Sequence, residues 1–311
     1  MLTLALFIAA CSTSEQQPAA RASIGFDPAA WQPPTDAEIP ADSLGASIRR
    51  GRALVTDTPD SLPAYAPGRI SCTNCHLGGG LSVDAAPLTG AFVRYPRYLS
   101  RTGAVVGIAD RVNYCFTRSL AGTRLPAESR EMQDIIAYLA FLSRGIPVGM
   151  GDKVKGGKGI PGIGVSRAGD TVSGAQVYSA KCAACHGPDG EGNPALTPRG
   201  PALWGPQSFA IGASMARPGK AADFIWHNMP FGMGKTLTKD EAIDVAAYMT
   251  SRPRPDSPGK ENDWPSGGAP ADVPYRTAGR DVRVTPRLLP RANPAGAVVP
   301  APPSVHRRSG R

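Results

Sequence analysis

Cys72-Thr-Asn-Cys75-His76 and Cys182-Ala-Ala-Cys185-His186 decide how this chain is read. A Cys-x-x-Cys-His run lets two thiols add covalently to haem vinyl groups, while the adjoining histidine supplies the proximal iron ligand. A redox dithiol or a zinc half-site would leave the histidine after both pairs without a purpose. Cys72, Cys75, Cys182 and Cys185 are therefore expected to hold two covalently bound haem c groups, with His76 and His186 as iron ligands. Covalent haem attachment also places such a chain outside the cytoplasm.

Around the motifs one order of elements occurs twice: a helix, the motif, loops, then a closing helix. The chain has 311 residues, enough for two domains with extensions. In a first domain, 36–148, a helix is expected from Asp42 to Val55, just ahead of the motif. Its closing helix is expected from Glu128 to Arg144, where Met132, Ile135, Ile136, Leu139 and Leu142 recur at helical spacing before Gly145. In a second domain, 169–252, Ser173-x-x-Gln176 and Thr238-x-x-Glu241 read as capping boxes that open the first and last helices. Residues 149–168 are rich in Gly and Lys and read as a linker. The 36 glycines and 32 prolines, with few aromatics, point to many loops, which a haem-centred core tolerates. The fold class is all-α: two cytochrome c-type domains, each with one covalent haem, joined by the Gly/Lys-rich linker.

The flanks read differently. Residues 1–11 form an apolar leader that runs into Ile8-Ala9-Ala10-Cys11-Ser12, a lipobox pattern in which Cys11 would carry a lipid anchor. An ordinary cleaved signal is the alternative, and both make the protein an exported, periplasmic one. Residues 12–35 look like a tether. Residues 253–282 are expected to wrap over the domains, with Trp264 and Tyr275 packing, and 283–311 to form a disordered basic tail. Residues 280–311 carry seven Arg against one Asp, so most of the formal charge of +9 sits in that tail, and nucleic acid is not an expected partner. No apolar run reaches membrane-spanning length.

With four cysteines assigned to haem and Cys11 to lipid, Cys115 is left over. The first haem needs a distal ligand or an open site, and no histidine lies between Leu77 and the linker. Met132 belongs to the apolar stripe of the closing helix, and Met150 stands between glycines at the linker boundary. Cys115, 39 residues past His76 in what reads as a loop, is the favoured axial thiolate; a buried thiol packing as a small apolar residue is the alternative. Arg101, Arg111 and Arg118 lie within fifteen residues of it, with Asn113 and Ser119 nearer still. Guanidinium groups lower a thiol pKa and bind oxyanions, although they also neutralise propionates. For the second haem Met229 is favoured as distal ligand, because Pro230 holds it extended at a helix end; Met233 comes second and His227 third. His/Met ligation raises a haem potential and thiolate ligation lowers it, so electrons would run from the first haem to the second.

At these residues the chain resembles the dihaem thiosulfate dehydrogenases, also called tetrathionate synthases. The resemblance spans roughly residues 35–280. It is most specific at Arg111-Val112-Asn113-Tyr114-Cys115-Phe116-Thr117-Arg118-Ser119-Leu120-x-Gly122. It implies a His/Cys-ligated catalytic first haem and an electron-accepting second haem, with Cys115 as ligand and reactive thiol and Arg101, Arg111 and Ser119 binding substrate. The implied reaction joins two thiosulfates into tetrathionate, possibly reversibly. Its electrons would go to an external acceptor such as a small cytochrome c or a high-potential iron–sulfur protein. Two departures stand out. Gly122-Thr123-Arg124 replaces a stretch where the family often has lysine, and Asn228 replaces the lysine that precedes the distal methionine in some members. The alternatives are a non-catalytic dihaem electron carrier, and a sulfur-oxidising subunit acting on a protein-bound substrate.

Overall fold

The computed structural model describes residues 25–196 and 200–279. Cys11, the segment 1–11, most of the tether and the tail 283–311 lie outside the described residues. Among the described residues six helices of eleven or more residues carry the architecture: α1 (Ser43–Thr56), α2 (Ile108–Arg118), α3 (Arg130–Phe141), α4 (Thr171–Lys181), α5 (Pro218–Asn228) and α6 (Lys239–Thr250). The strands described are a short antiparallel pair, β1 (Arg97–Leu99) and β2 (Ala104–Val106), with Arg97 opposite Val106.

The duplication shows in how the helices cross. In the first domain α1 packs on α3, and in the second α4 packs on α6. Each crossing needs a glycine. A Cβ on Gly51 would lie 1.9 Å from the Asp134 carbonyl oxygen, and one on Gly174 would lie 2.1 Å from that of Asp244. The helix backbones therefore touch where any side chain would hold them apart. Both aspartates also receive an arginine: Arg50 Nε donates to Asp134 Oδ2 at 2.7 Å, and Arg167 Nη1 to Asp244 Oδ1 at 2.7 Å.

Tyrosines tie these helices to the haem motifs. The Tyr138 hydroxyl donates to the Gly79 carbonyl at 2.7 Å, three residues past His76. The Tyr178 hydroxyl donates to the Gly187 carbonyl at 2.6 Å, one residue past His186. Met132 is fully buried on the core stripe of α3.

The helix ends follow local chemistry. Asp42 accepts the Gly45 amide at the start of α1, and Ser129 accepts the Met132 amide at the start of α3. Thr238 and Glu241 form the expected reciprocal capping box. The box expected at Ser173 is not used. α4 begins at Thr171, and Asp170 accepts the Val172 and Ser173 amides, so the better acceptor three residues upstream takes the cap.

Two irregular segments hold the domains together. Residues 149–168 lie against both: Arg94 Nη1 donates to the Gly157 carbonyl at 2.7 Å, while the Ile163 amide donates to Asp223 Oδ1 at 2.9 Å. Val154 and Ile163 are buried, so this segment packs despite its glycines. After α6 the chain returns along the second domain, where Pro255 accepts the Ile211 amide at 2.8 Å, and reaches the first, where the Trp264 amide donates to Arg101 O at 2.8 Å. Among the described residues no helix is long and apolar enough to cross a membrane.

Candidate haem sites and catalytic centre

The first motif forms a 3-10 turn, Cys72–Asn74, and the second continues into a single helical turn, Ala183–His186. In each, the histidine Nδ1 faces a backbone carbonyl: His76 that of Ala86, and His186 that of Pro201 at 2.8 Å. A carbonyl only accepts, so Nδ1 carries the proton and Nε2 keeps the lone pair a metal needs. Burial lowers both histidine pKa values, which favours the neutral, ligating form.

The cysteines fit covalent attachment rather than redox cycling. Cys72, Cys75, Cys182 and Cys185 are all unpaired. Burial pushes the Cys72 and Cys182 thiols up to about 11 and Cys75 to about 12. A redox-active dithiol needs the opposite shift.

Around the second motif is a largely apolar cavity with about 970 Å³ of empty space, part of it open to solvent. Cys182, Cys185 and His186 stand on its wall, and so does Met229. Met229 closes α5 in extended conformation, φ −120° and ψ 148°, as the following proline dictates. Met233 is 59% exposed, and His227 is turned away, with Nε2 3.1 Å from the Pro161 carbonyl. Asn228 donates to the Asp84 and Phe224 carbonyls at 3.0 Å each, a structural role in place of a ligand. Ile70, Asn74 and Cys75 of the first domain also line this cavity, so the two haem sites share a wall.

Replacing Met229 with leucine is expected to lower the second haem's potential by on the order of 0.1 V, within the ~0.8 V range that axial ligands command. Met233→Leu is expected to leave it unchanged. A spectroelectrochemical titration of both variants checks this.

Cys115 lies in the helix α2, not in a loop. The segment is amphipathic but weakly marked at its start, where Gly107 is the N-cap and offers no side-chain cap. Being helical places Arg111, Cys115 and Ser119 at i, i+4 and i+8, on one face. Arg111 Nη1 donates to Cys115 Sγ at 2.8 Å. Cys115 lies near enough to act electrostatically on Cys72 and Cys75, and Arg111 on His76, so this face lies against the first haem motif. The Cys115 charge, acting against burial, holds the Arg111 guanidinium above its ordinary value. Ser119 ends the helix: its amide donates to the Cys115 carbonyl at 2.8 Å and its own carbonyl accepts the Ala210 amide at 3.0 Å.

The other arginines go elsewhere. Arg101 donates from Nε to Asp263 Oδ2 at 3.0 Å and from Nη2 to the Gly212 carbonyl at 2.7 Å and the Tyr275 hydroxyl at 2.6 Å. Its guanidinium lies over the Trp264 ring at 4.8 Å. Arg118 Nη2 meets Asp263 Oδ1 at 3.1 Å and the Gly259 carbonyl at 2.9 Å. Burial works to raise the Asp263 pKa, but Arg101, the Tyr275 hydroxyl, Arg118 and Tyr114 outweigh it and hold it low. Arg124 pairs with exposed Asp110 at 2.8 Å on the outer surface. Asp263 is a residue the sequence did not mark, although its neighbours Trp264 and Tyr275 did stand out.

Two helical domains, each presenting a cysteine pair and a histidine with its Nε2 free, define a dihaem c-type cytochrome, with one haem c bound covalently in each domain. Residues 64–148 match the SoxA/TsdA cytochrome c domain family and residues 171–253 the cytochrome c family. A thiosulfate dehydrogenase of Psychrobacter arcticus is 40% identical over 255 residues, covering 80% of this chain and 77% of the relative. That of Allochromatium vinosum is 41% identical over 228 residues, covering 71% and 83%. The as-isolated thiosulfate dehydrogenase TsdBA of Marichromatium purpuratum superposes with a TM-score of 0.67 at 32% identity, over 74% of this chain and half of that longer one. The chain belongs to the thiosulfate dehydrogenase family.

Proposed function

We propose that this protein is a periplasmic enzyme that oxidises two thiosulfates to tetrathionate at Cys115, with Arg111 and Ser119 completing the reacting face. The observation that carries the reading is the 2.8 Å contact between Arg111 and the Cys115 sulfur, beside the first haem motif. A guanidinium there stabilises the thiolate and offers further N–H donors to an incoming sulfur oxyanion. Both substrates are dianions, and fixed positive charge offsets the Coulomb cost of bringing them together.

The sulfur of Cys115 bonds to the terminal sulfur of one thiosulfate, giving Cys–S–S–SO₃⁻ with the release of two electrons. The terminal sulfur of a second thiosulfate then attacks the sulfane sulfur bonded directly to Cys115 Sγ. The Cys–S–S bond breaks, tetrathionate leaves and the Cys115 thiolate returns. Haems held at the two motifs would supply one-electron acceptors, with His76 and Cys115 holding the first and His186 and Met229 the second. Cys75 also stands on the wall of the second site, so haems held at the two motifs would lie close together. Arg101 is bonded to Asp263, which also binds Tyr114 and Arg118 of the helix that carries Cys115.

Thiosulfate added to oxidised protein is expected to reduce its haems and, with ferricyanide present, to sustain turnover that yields tetrathionate. Oxidised spectra unaltered by thiosulfate would leave an electron carrier instead.

A further inference from the structure

Asp263 lies beyond residue 253, where the match to the second cytochrome c domain ends, yet it is only 3% exposed at its side chain and faces the first domain. Two groups of α2 bind it: the Tyr114 hydroxyl donates to Oδ1 at 2.9 Å, and Arg118 reaches it at 3.1 Å. Arg101, from the β1–β2 turn, reaches Oδ2 at 2.9 Å, and the Tyr275 hydroxyl donates to the same oxygen at 2.7 Å. Tyr114 and Arg118 are i and i+4 on one face of α2, adjacent to the face that carries Arg111 and Cys115. A helix held at two successive turns on one side is fixed in rotation, and its remaining faces are fixed with it. Tyr114 immediately precedes Cys115, so a few degrees of roll about the α2 axis moves the sulfur.

We propose that Asp263 is a positioning residue for the reaction. By gathering Tyr114 and Arg118 onto one buried carboxylate, it sets the rotation of α2 and so aims the Arg111–Cys115 pair at the first haem site. The C-terminal segment thus completes the catalytic domain in place of merely covering it. Without the carboxylate, Arg101 and Arg118 keep two guanidiniums close together with no anion between them, and α2 has no reason to stay in register.

The proposal rests on Cys115 as distal ligand, and the test separates the two. Low-temperature spin-resonance spectra of the resting, oxidised full-length haem protein would be recorded for wild type, Asp263→Asn, Asp263→Glu and Tyr114→Phe. Asp134→Asn, which removes a buried carboxylate from the α1–α3 crossing of the same domain, serves as the comparison. Asp263→Asn is expected to disperse or shift the thiolate-type low-spin signal and to lower kcat by on the order of 100-fold, as a misaimed reacting group does. Tyr114→Phe is expected to move the signal the same way to a smaller extent, and Asp263→Glu to recover part of it. Asp134→Asn is expected to lower the melting temperature but keep the wild-type signal. Should Asp263→Asn not fold, Tyr114→Phe decides. Unaltered spectra and kcat in the Asp263 and Tyr114 variants would overturn the proposal, as would an equal change in Asp134→Asn. A wild-type spectrum without a thiolate signal refutes the ligand assignment, and the proposal with it.

Discussion

Cys115→Ala is expected to abolish thiosulfate oxidation, with kcat lower by about 10³-fold or more, as when a nucleophile is deleted. Both haems should remain attached, because Cys72, Cys75, Cys182 and Cys185 are separate from the deleted sulfur. Packing should change little: Cys115 is only partly buried, and loss of one small side chain leaves a minor gap. The first haem should lose its thiolate spectrum while the second stays as it was. Peptide mass spectrometry for haem attachment, run beside the turnover assay, separates a chemical defect from a maturation defect. A variant of near wild-type activity would refute the sulfur chemistry proposed for this residue.

Arg111→Gln is the second large effect. This guanidinium contacts the sulfur directly, and its pKa is held above the ordinary value, so it stays charged throughout the working pH range. Its removal takes away both the cation that favours the thiolate and the donors available to an oxyanion. A fall in kcat/KM of about 10²–10³ is expected, the usual size for one lost preorganised donor. Arg111→Lys is expected to recover only part of it, since an ammonium is a point charge without the planar fork that pairs two oxygens at once. By contrast, Arg124→Gln should be close to neutral, because Arg124 faces solvent and pairs with Asp110. Steady-state kinetics on the three variants check the order.

The haem sites were legible in the sequence because their chemistry is local. Covalent attachment fixes Cys-x-x-Cys-His within five residues, and Pro230 by itself dictates the extended backbone of Met229. The leftover thiol was legible by counting. Its setting was not. Gly107 gives α2 no side-chain cap and the helix has only three turns, so the segment read as a loop and the common face of Arg111, Cys115 and Ser119 stayed hidden. The roles of the arginines were further out of reach, since three residues of similar spacing looked alike. Which of them meets sulfur and which meets a carboxylate depends on Asp263, 149 residues from Tyr114, and on the chain returning across both domains. Likewise the 149–168 segment read as a Gly/Lys-rich linker, and its glycines conceal the buried contacts of Val154 and Ile163. Close approaches such as Gly51 on Asp134 are visible only once two helices have met.

The central claim is that the Cys115 sulfur is the distal group of the first haem. Low-temperature spin-resonance spectroscopy of the oxidised protein, wild type beside Cys115→Ala, tests it most directly. The expected result is a thiolate-ligated low-spin species in the wild type that vanishes in the variant while the second haem's signal persists. Identical spectra from the two proteins would contradict it.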